Sequence, residues 1–286
     1  MAVRVITDSA SYLPSDVRSR YGIVEVPLFV RENDSVTPET EIDLDAFYAR
    51  LVTSPALPAT SQPSPHDFAT VFADAVAEGL DVIAVLISGG MSGTVSSAET
   101  AAQMVRESSP GAGIAVVDSR ANCMQEGFAV IAAAEVAGTG GSLAECEHAA
   151  RESMRRSRFL FTPVTLDYLR RGGRISAAAA LLGSVLRLAP VLTAEDGSTG
   201  VAGRGRTHHR ALDTIAKLVR ADVERCGLKQ IVVQTIADIE PGRTFAREYI
   251  EPIAGGPVPV IPIGAAVGLH VGPAIGVTYE TIEPLQ

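Results

Sequence analysis

An unbroken apolar run, Val82-Ile83-Ala84-Val85-Leu86-Ile87, leads directly into Ser88-Gly89-Gly90-Met91-Ser92-Gly93-Thr94. The run is too short for a helix of ordinary length and is rich in β-branched side chains. That predicts a strand buried on both faces, as in a parallel sheet. Beyond the glycines, Val95, Ala98, Ala101, Ala102 and Val105 recur at helical spacing. The stretch is therefore a strand–turn–helix joint. Ligands of open α/β sheets settle at the carboxyl ends of strands, and a helix start offers unpaired N–H groups and the positive end of the dipole. An anionic group is expected near Ser92, Gly93 and Thr94. A turn that merely bends the chain, with Ser92 as a plain helix cap, fits the same residues.

The rest of the first half alternates strand and helix, which predicts a parallel or mostly parallel sheet flanked by helices. Val3–Ile6 reads as the first strand and ends in Thr7-Asp8-Ser9. A short helix over Pro14–Tyr21, a strand over Ile23–Val30 and a helix opening at Asp43 follow. The prolines of Ala59-Thr60-Ser61-Gln62-Pro63-Ser64-Pro65 predict an irregular loop. Its end carries a helix start: Ser64 as cap, Pro65 at the first position and Asp67 as the capping-box acid. A strand over Ile114–Val117, a helix over Gly127–Val136 and a capping box of Ser142 and Glu145 complete this half.

The second half has a different grammar. Phe159–Phe161 predicts a strand, Thr165–Arg171 a short helix, Ala177–Leu186 a longer one. Asp196-Gly197 between Leu188–Thr193 and Thr199–Val201 predicts a hairpin, hence an antiparallel element. Thr207–Cys226 is amphipathic, Ile231–Thr235 reads as a strand and Arg243–Ile250 as a helix. Val258–Ile263 and Ile275–Tyr279 read as terminal strands separated by a glycine-rich loop, Gly264–Pro273, that holds His270. The fold class is α/β with two lobes, residues 1–158 and 159–286. The first is mostly parallel; the second is mixed, with antiparallel elements.

Charge and composition exclude several functions. A net charge of −9 and a pI near 5.1 argue against a nucleic-acid backbone as partner. Three cysteines without CxxC spacing argue against a disulfide framework. No apolar run reaches the ~18 residues of a spanning helix, and no signal-like segment precedes the first strand. A soluble, cytoplasmic protein is expected. No Walker sequence and no G-x-G-x-x-G after the first strand occurs, so no nucleotide cofactor is expected. The histidines lack HxxxH or HExxH spacing, so no metal site is expected. Gly90-Met91-Ser92-Gly93-Thr94 approaches the G-x-S-x-G nucleophile elbow, with His270 downstream and Asp238 as an acid between them. Thr94 stands where the second glycine belongs. A serine esterase built on Ser92 and His270 is thus the alternative reading.

Short motifs in a fixed order resemble the DegV family of bacterial lipid-binding proteins, which includes the fatty-acid-binding subunit of fatty acid kinase. They are Val5-Ile6-Thr7-Asp8-Ser9, Thr60-Ser61-Gln62-Pro63-Ser64-Pro65, Ser92-Gly93-Thr94, Val117-Asp118-Ser119, Leu169-Arg170-Arg171-Gly172-Gly173-Arg174-Ile175, and His270-Val271-Gly272-Pro273. The resemblance implies a fatty acid such as palmitate or oleate held between two lobes, with no catalytic residue in this chain. Thr60 and Ser92 match the family positions that bind the carboxylate, and His270 matches the histidine that completes the polar network. Ser61, Gly93 and Thr94 are supporting positions. The family commonly has Thr before that histidine and Gly after the proline, where this chain has Leu269 and Ala274. Arg174, Arg204 and Arg206 match surface positions that would meet an ATP-dependent kinase subunit. A transient membrane contact belongs to the same picture.

Overall fold

The computed structural model describes residues 1–54, 56–181 and 188–285. In chain order the first half runs β1 (Val3–Asp8), α1 (Ser15–Tyr21), β2 (Val24–Val26), β3 (Phe29–Glu32), β4 (Ser35–Pro38), α2 (Leu44–Leu51), β5 (Ala59–Ser61), α3 (Pro65–Ala77), β6 (Asp81–Leu86), α4 (Thr94–Ser108), β7 (Ile114–Asp118), α5 (Cys123–Gly138) and α6 (Leu143–Arg156). The second half runs β8 (Ser157–Pro163), α7 (Asp167–Arg171), β9 (Ala189–Glu195), β10 (Ser198–Gly205), α8 (His208–Cys226), β11 (Leu228–Ile236), α9 (Glu240–Phe245), α10 (Glu251–Ala254), β12 (Val260–Pro262), α11 (Ala265–Val271) and β13 (Ala274–Thr281).

Strands β2-β1-β6-β7 form an all-parallel sheet. Its central strand β6 alternates between two cores. Val82, Ala84 and Leu86 pack with Phe68, Phe72 and Ala98 of α3 and α4. Ile83 and Val85 pack with Phe128 and Ala129 of α5. Burial on both faces is why the run carries no polar residue. Strands β10-β9-β8-β13-β11-β12 form a second sheet, antiparallel except for the β11–β12 pair. Asp196 and Gly197 both take positive φ at the β9–β10 turn, as an Asp-Gly hairpin requires. Helix α8 covers this sheet with Leu212, Ile215 and Val219. Both capping boxes, Ser64–Asp67 and Ser142–Glu145, are formed.

Several expectations are corrected. Ile23–Val30 is not one strand: it breaks at Pro27, which has no N–H to donate, and the Leu28 N–H goes to the Ser9 hydroxyl at 2.9 Å. The chain then enters a third sheet, β4-β3-β5. The proline-rich stretch at 59–65 supplies that sheet's β5, with Thr60 opposite Val30. Helix α5 starts at Cys123, one turn before Gly127. Residues 176–181 form a 3-10 helix, and the rest of Ala177–Leu186 lies outside the described residues. Residues 240–254 form α9, a wide turn at Ala246–Ile250 and α10.

Gly264–Pro273 is also not a loop. It holds the buried helix α11, closed by Gly272 at φ 70° and Pro273. The glycine inside it, Gly268, reflects a close approach: a methyl there would run into the Tyr48 hydroxyl. That hydroxyl donates to the Ile263 and Gly264 carbonyls, both at 2.8 Å.

Candidate functional site

Three elements converge on one cavity. The turn after β6 supplies Met91, Ser92 and Gly93; β5 and the residue after it supply Thr60, Ser61 and Gln62; α11 supplies Val267 and His270. Leu28, Ile87, Phe161 and Leu169 give the cavity an apolar wall, continuous with a core drawn from both halves of the chain. Thr193, Ala194 and Thr199 of the β9–β10 hairpin face it from the second sheet.

Thr60 and His270 meet directly. The Thr60 hydroxyl lies 2.8 Å from His270 Nε2. His270 Nδ1 is buried and has no hydrogen-bond partner among the described residues. Burial, and then the Arg174 charge, hold the imidazole down at about 4. The ring is therefore neutral near pH 7. When Nε2 carries its hydrogen, it donates to Thr60 and leaves the Thr60 hydroxyl proton free for an acceptor in the cavity. Ser92 does not meet His270. Its hydroxyl lies 2.8 Å from the Thr94 hydroxyl and 3.4 Å from the Thr94 N–H. Helix α4 begins with Gly93 as its cap, so Ser92 sits just before the helix and lines the cavity. Thr94 is fully buried, behind Ser92 and away from the cavity lining. The helix start directs its positive dipole end toward this wall.

Arg174, expected on the surface, is half-buried and lines the cavity. Its NH1 donates to the Gly172 carbonyl at 2.6 Å and its Nε to the Met91 carbonyl at 3.4 Å. Arg204 and Arg206 are exposed and lie outside the cavity lining. The esterase constellation is not assembled: His270 Nε2 is engaged by Thr60, Ser92 by Thr94. Asp238 lies in another cleft, where it accepts the Glu240 N–H at 3.0 Å.

Sequence reading missed Asn122, which lines the cavity beside Met91 and donates to its sulfur at 3.3 Å. Its position just past a parallel strand's carboxyl end and just before a helix was the available signal. Gln62, whose side chain lies over Gly93, was also missed as a lining residue. Among the described residues no group of His, Cys, Asp and Glu has a metal-binding arrangement, and no helix is long and apolar enough to cross a membrane.

A family model described as "Uncharacterised protein, DegV family" matches residues 2–281. A DegV domain-containing protein of Clostridium acetobutylicum is 40% identical over the full length of both chains. The structure is similar to that of a DegV family protein of Thermus thermophilus described for its fatty acid binding. The identity is 36%, the TM-score 0.85, and the match covers 98% of this chain and 100% of that one. It is similar also to a stearic-acid-binding protein of Eubacterium ventriosum, with 27% identity, TM-score 0.88 and 98% of each chain covered. A third likeness is to DegV, a fatty acid binding protein of Bacillus subtilis, at 29% identity and TM-score 0.87, covering 98% of this chain and 99% of that one.

Proposed function

The chain belongs to the DegV family, and we propose that it carries a long-chain fatty acid in the cavity between two lobes, residues 1–158 and 159–286. The observation that carries this reading is the Thr60–His270 pair at 2.8 Å, a neutral polar contact in a cavity whose apolar wall is Leu28, Ile87, Phe161 and Leu169. The fatty-acid-binding relatives support it.

In this reading Thr60 and Ser92 donate hydroxyl protons to the carboxylate, and His270 orients Thr60. Ser61, Gly93 and Thr94 support them, Thr94 by holding Ser92. Hydrogen bonds to a charged acceptor are the stronger kind. The tail does most of the holding: at ~0.8 kcal/mol per buried CH₂, about 15 such groups contribute on the order of 12 kcal/mol before the costs of ordering. Release is slow, and the acid stays with the protein through purification. The chain itself performs no catalysis. It works in the cytoplasm, takes its acid in a transient membrane contact and presents the carboxylate to a separate ATP-dependent kinase. There a carboxylate oxygen attacks the terminal phosphorus of ATP, and acyl phosphate and ADP result. Exposed Arg204 and Arg206 belong to the kinase-facing surface, and half-buried Arg174 of the cavity lining is the third arginine assigned to it.

The test is mass spectrometry of an organic extract of the denatured, purified protein beside Thr60→Ala and Ser92→Ala. A near-stoichiometric fatty acid that falls in both variants is expected. A wild-type protein that is empty and takes up neither palmitate nor oleate overturns the proposal.

A further inference from the structure

Ser88 is fully buried and stands at the start of the Ser92 turn. Its carbonyl accepts the Met91 and Ser92 N–H groups, both at 3.0 Å. Its hydroxyl accepts the Gly90 N–H at 3.1 Å and donates to the Gly197 carbonyl at 2.6 Å. One residue thus shapes the turn that carries Ser92 and ties it to the tip of the β9–β10 hairpin, 109 residues away. The same hairpin also lines the cavity, through Thr193, Ala194 and Thr199.

The two backbones meet without a spacer. A methyl on Gly90 would stand 2.5 Å from the Gly197 oxygen, and one on Gly197 would stand 2.9 Å from the Ser88 hydroxyl. Gly197 is buried at a hairpin tip because this turn covers it. Outside the contact, Arg120 pairs with Asp196 at 3.0 Å, but both side chains are largely exposed, so that pair is screened.

We propose that Ser88 is a positioning residue that clasps the Ser92 turn to the β9–β10 hairpin, and that opening of this seam is the route by which a fatty acid leaves. The proposal rests on the fatty-acid reading above. Without the Ser88 hydroxyl the Gly197 carbonyl stays buried and loses its donor, which favours the open seam.

The experiment measures release of the fluorescent fatty acid cis-parinarate into excess oleate from the full chain and from Ser88→Ala, Gly90→Ala and Arg120→Ala. Gly90 lies outside the cavity lining, and Gly90→Ala wedges the seam with the Ser88 hydroxyl intact, so it decides the matter should Ser88→Ala not fold. Release about tenfold faster is expected in the first two, with Arg120→Ala within about twofold of wild type. Release at the wild-type rate from folded Gly90→Ala and Ser88→Ala overturns the clasp. Should the wild-type protein take up no cis-parinarate, the fatty-acid proposal fails separately. Amide hydrogen exchange at residues 89–94 then decides: faster exchange in both variants with β6 unchanged supports the clasp, and unchanged exchange overturns it.

Discussion

The Glu39 carboxylate accepts a hydrogen bond at 2.8 Å from the N–H of Ala266, 227 residues away in the first turn of the helix that carries His270. The same oxygen takes the Tyr12 hydroxyl at 3.3 Å, and the other takes the Ser9 hydroxyl. One buried carboxyl just past β4 therefore joins the turn after β1 to helix α11. Asp8 does the same for the Ser92 turn, accepting the Ile87 N–H at 2.8 Å and the Ala10 N–H at 2.9 Å.

These carboxyls set a pH dependence of stability. Burial pushes Asp8 and Glu39 each up to about 7, and pushes Glu126, beside Asp8, well above the ordinary carboxylate range. Between that ordinary range and about pH 7 the folded chain binds more protons than the unfolded chain, so rising pH favours unfolding. Above about 7 the Asp8 and Glu39 contribution is flat. Urea denaturation from pH 5 to 8 should show stability falling toward pH 7, with a shallower fall in Glu39→Gln. Equal slopes in the two proteins would contradict the assignment.

His270 has the opposite sign. Its folded-state value is about 4, depressed first by burial and then by Arg174. An unfolded histidine protonates near 6.5, so the contribution of His270 is fully present above that value and is lost as pH falls toward 4. Imidazole proton shifts of the ligand-free protein should give a midpoint near 4. A fatty-acid carboxylate in the cavity should raise it, because a nearby negative charge favours the charged ring. A midpoint near 6.5 in the ligand-free protein would show that the ring is not buried as described.

The two carboxylate donors proposed here are separable. Thr60→Val removes a donor to the ligand and also the partner of His270 Nε2. Ser92→Ala removes a donor whose present partners, the Thr94 hydroxyl and N–H, lie two residues away in its own turn. Each should weaken fatty acid binding by about 1.5–3 kcal/mol. Thr60→Val should also destabilise the empty protein more than Ser92→Ala does, by about 1–3 kcal/mol, because it leaves both His270 ring nitrogens without a partner among the described residues. Competition binding and urea denaturation of the two variants check this, and equal denaturation midpoints would argue against the Thr60–His270 bond.

What could be read from the amino-acid sequence follows the physics of each signal. The β6 run, the two capping boxes and the Asp-Gly hairpin are local, and their residues decide their own geometry. Strand β5 is not local: 59–61 pairs only because β3 is beside it. The first turn of α5 was hidden because Gln125 and Glu126 are buried polar residues, and Cys123 starts the helix at φ 57°. Gln125 is satisfied by the Ser157 carbonyl and the Phe159 N–H, which sequence spacing does not reveal. Asn122 was overlooked with that turn. Arg174 reads as a surface cation because arginine usually is one; two backbone carbonyls draw it inward.

The helix that carries His270 depends on one close approach. Its glycine-rich sequence reads as a loop, yet Gly268 is there because the Tyr48 hydroxyl occupies the space of a side chain. Gly268→Ala should destabilise the protein by about 1–3 kcal/mol, the usual range for overpacking, although alanine is the better helix former. Tyr48→Phe should cost about 1 kcal/mol through the lost bonds to Ile263 and Gly264. Removing the hydroxyl relieves the closest contact of the methyl but leaves the ring carbons Cζ and Cε1 at 2.7 and 2.8 Å from it, so the double variant should be more stable than the sum of the singles implies without recovering fully. Thermal unfolding of the four proteins closes the cycle. Strict additivity would mean that Gly268 serves backbone freedom and not the Tyr48 contact.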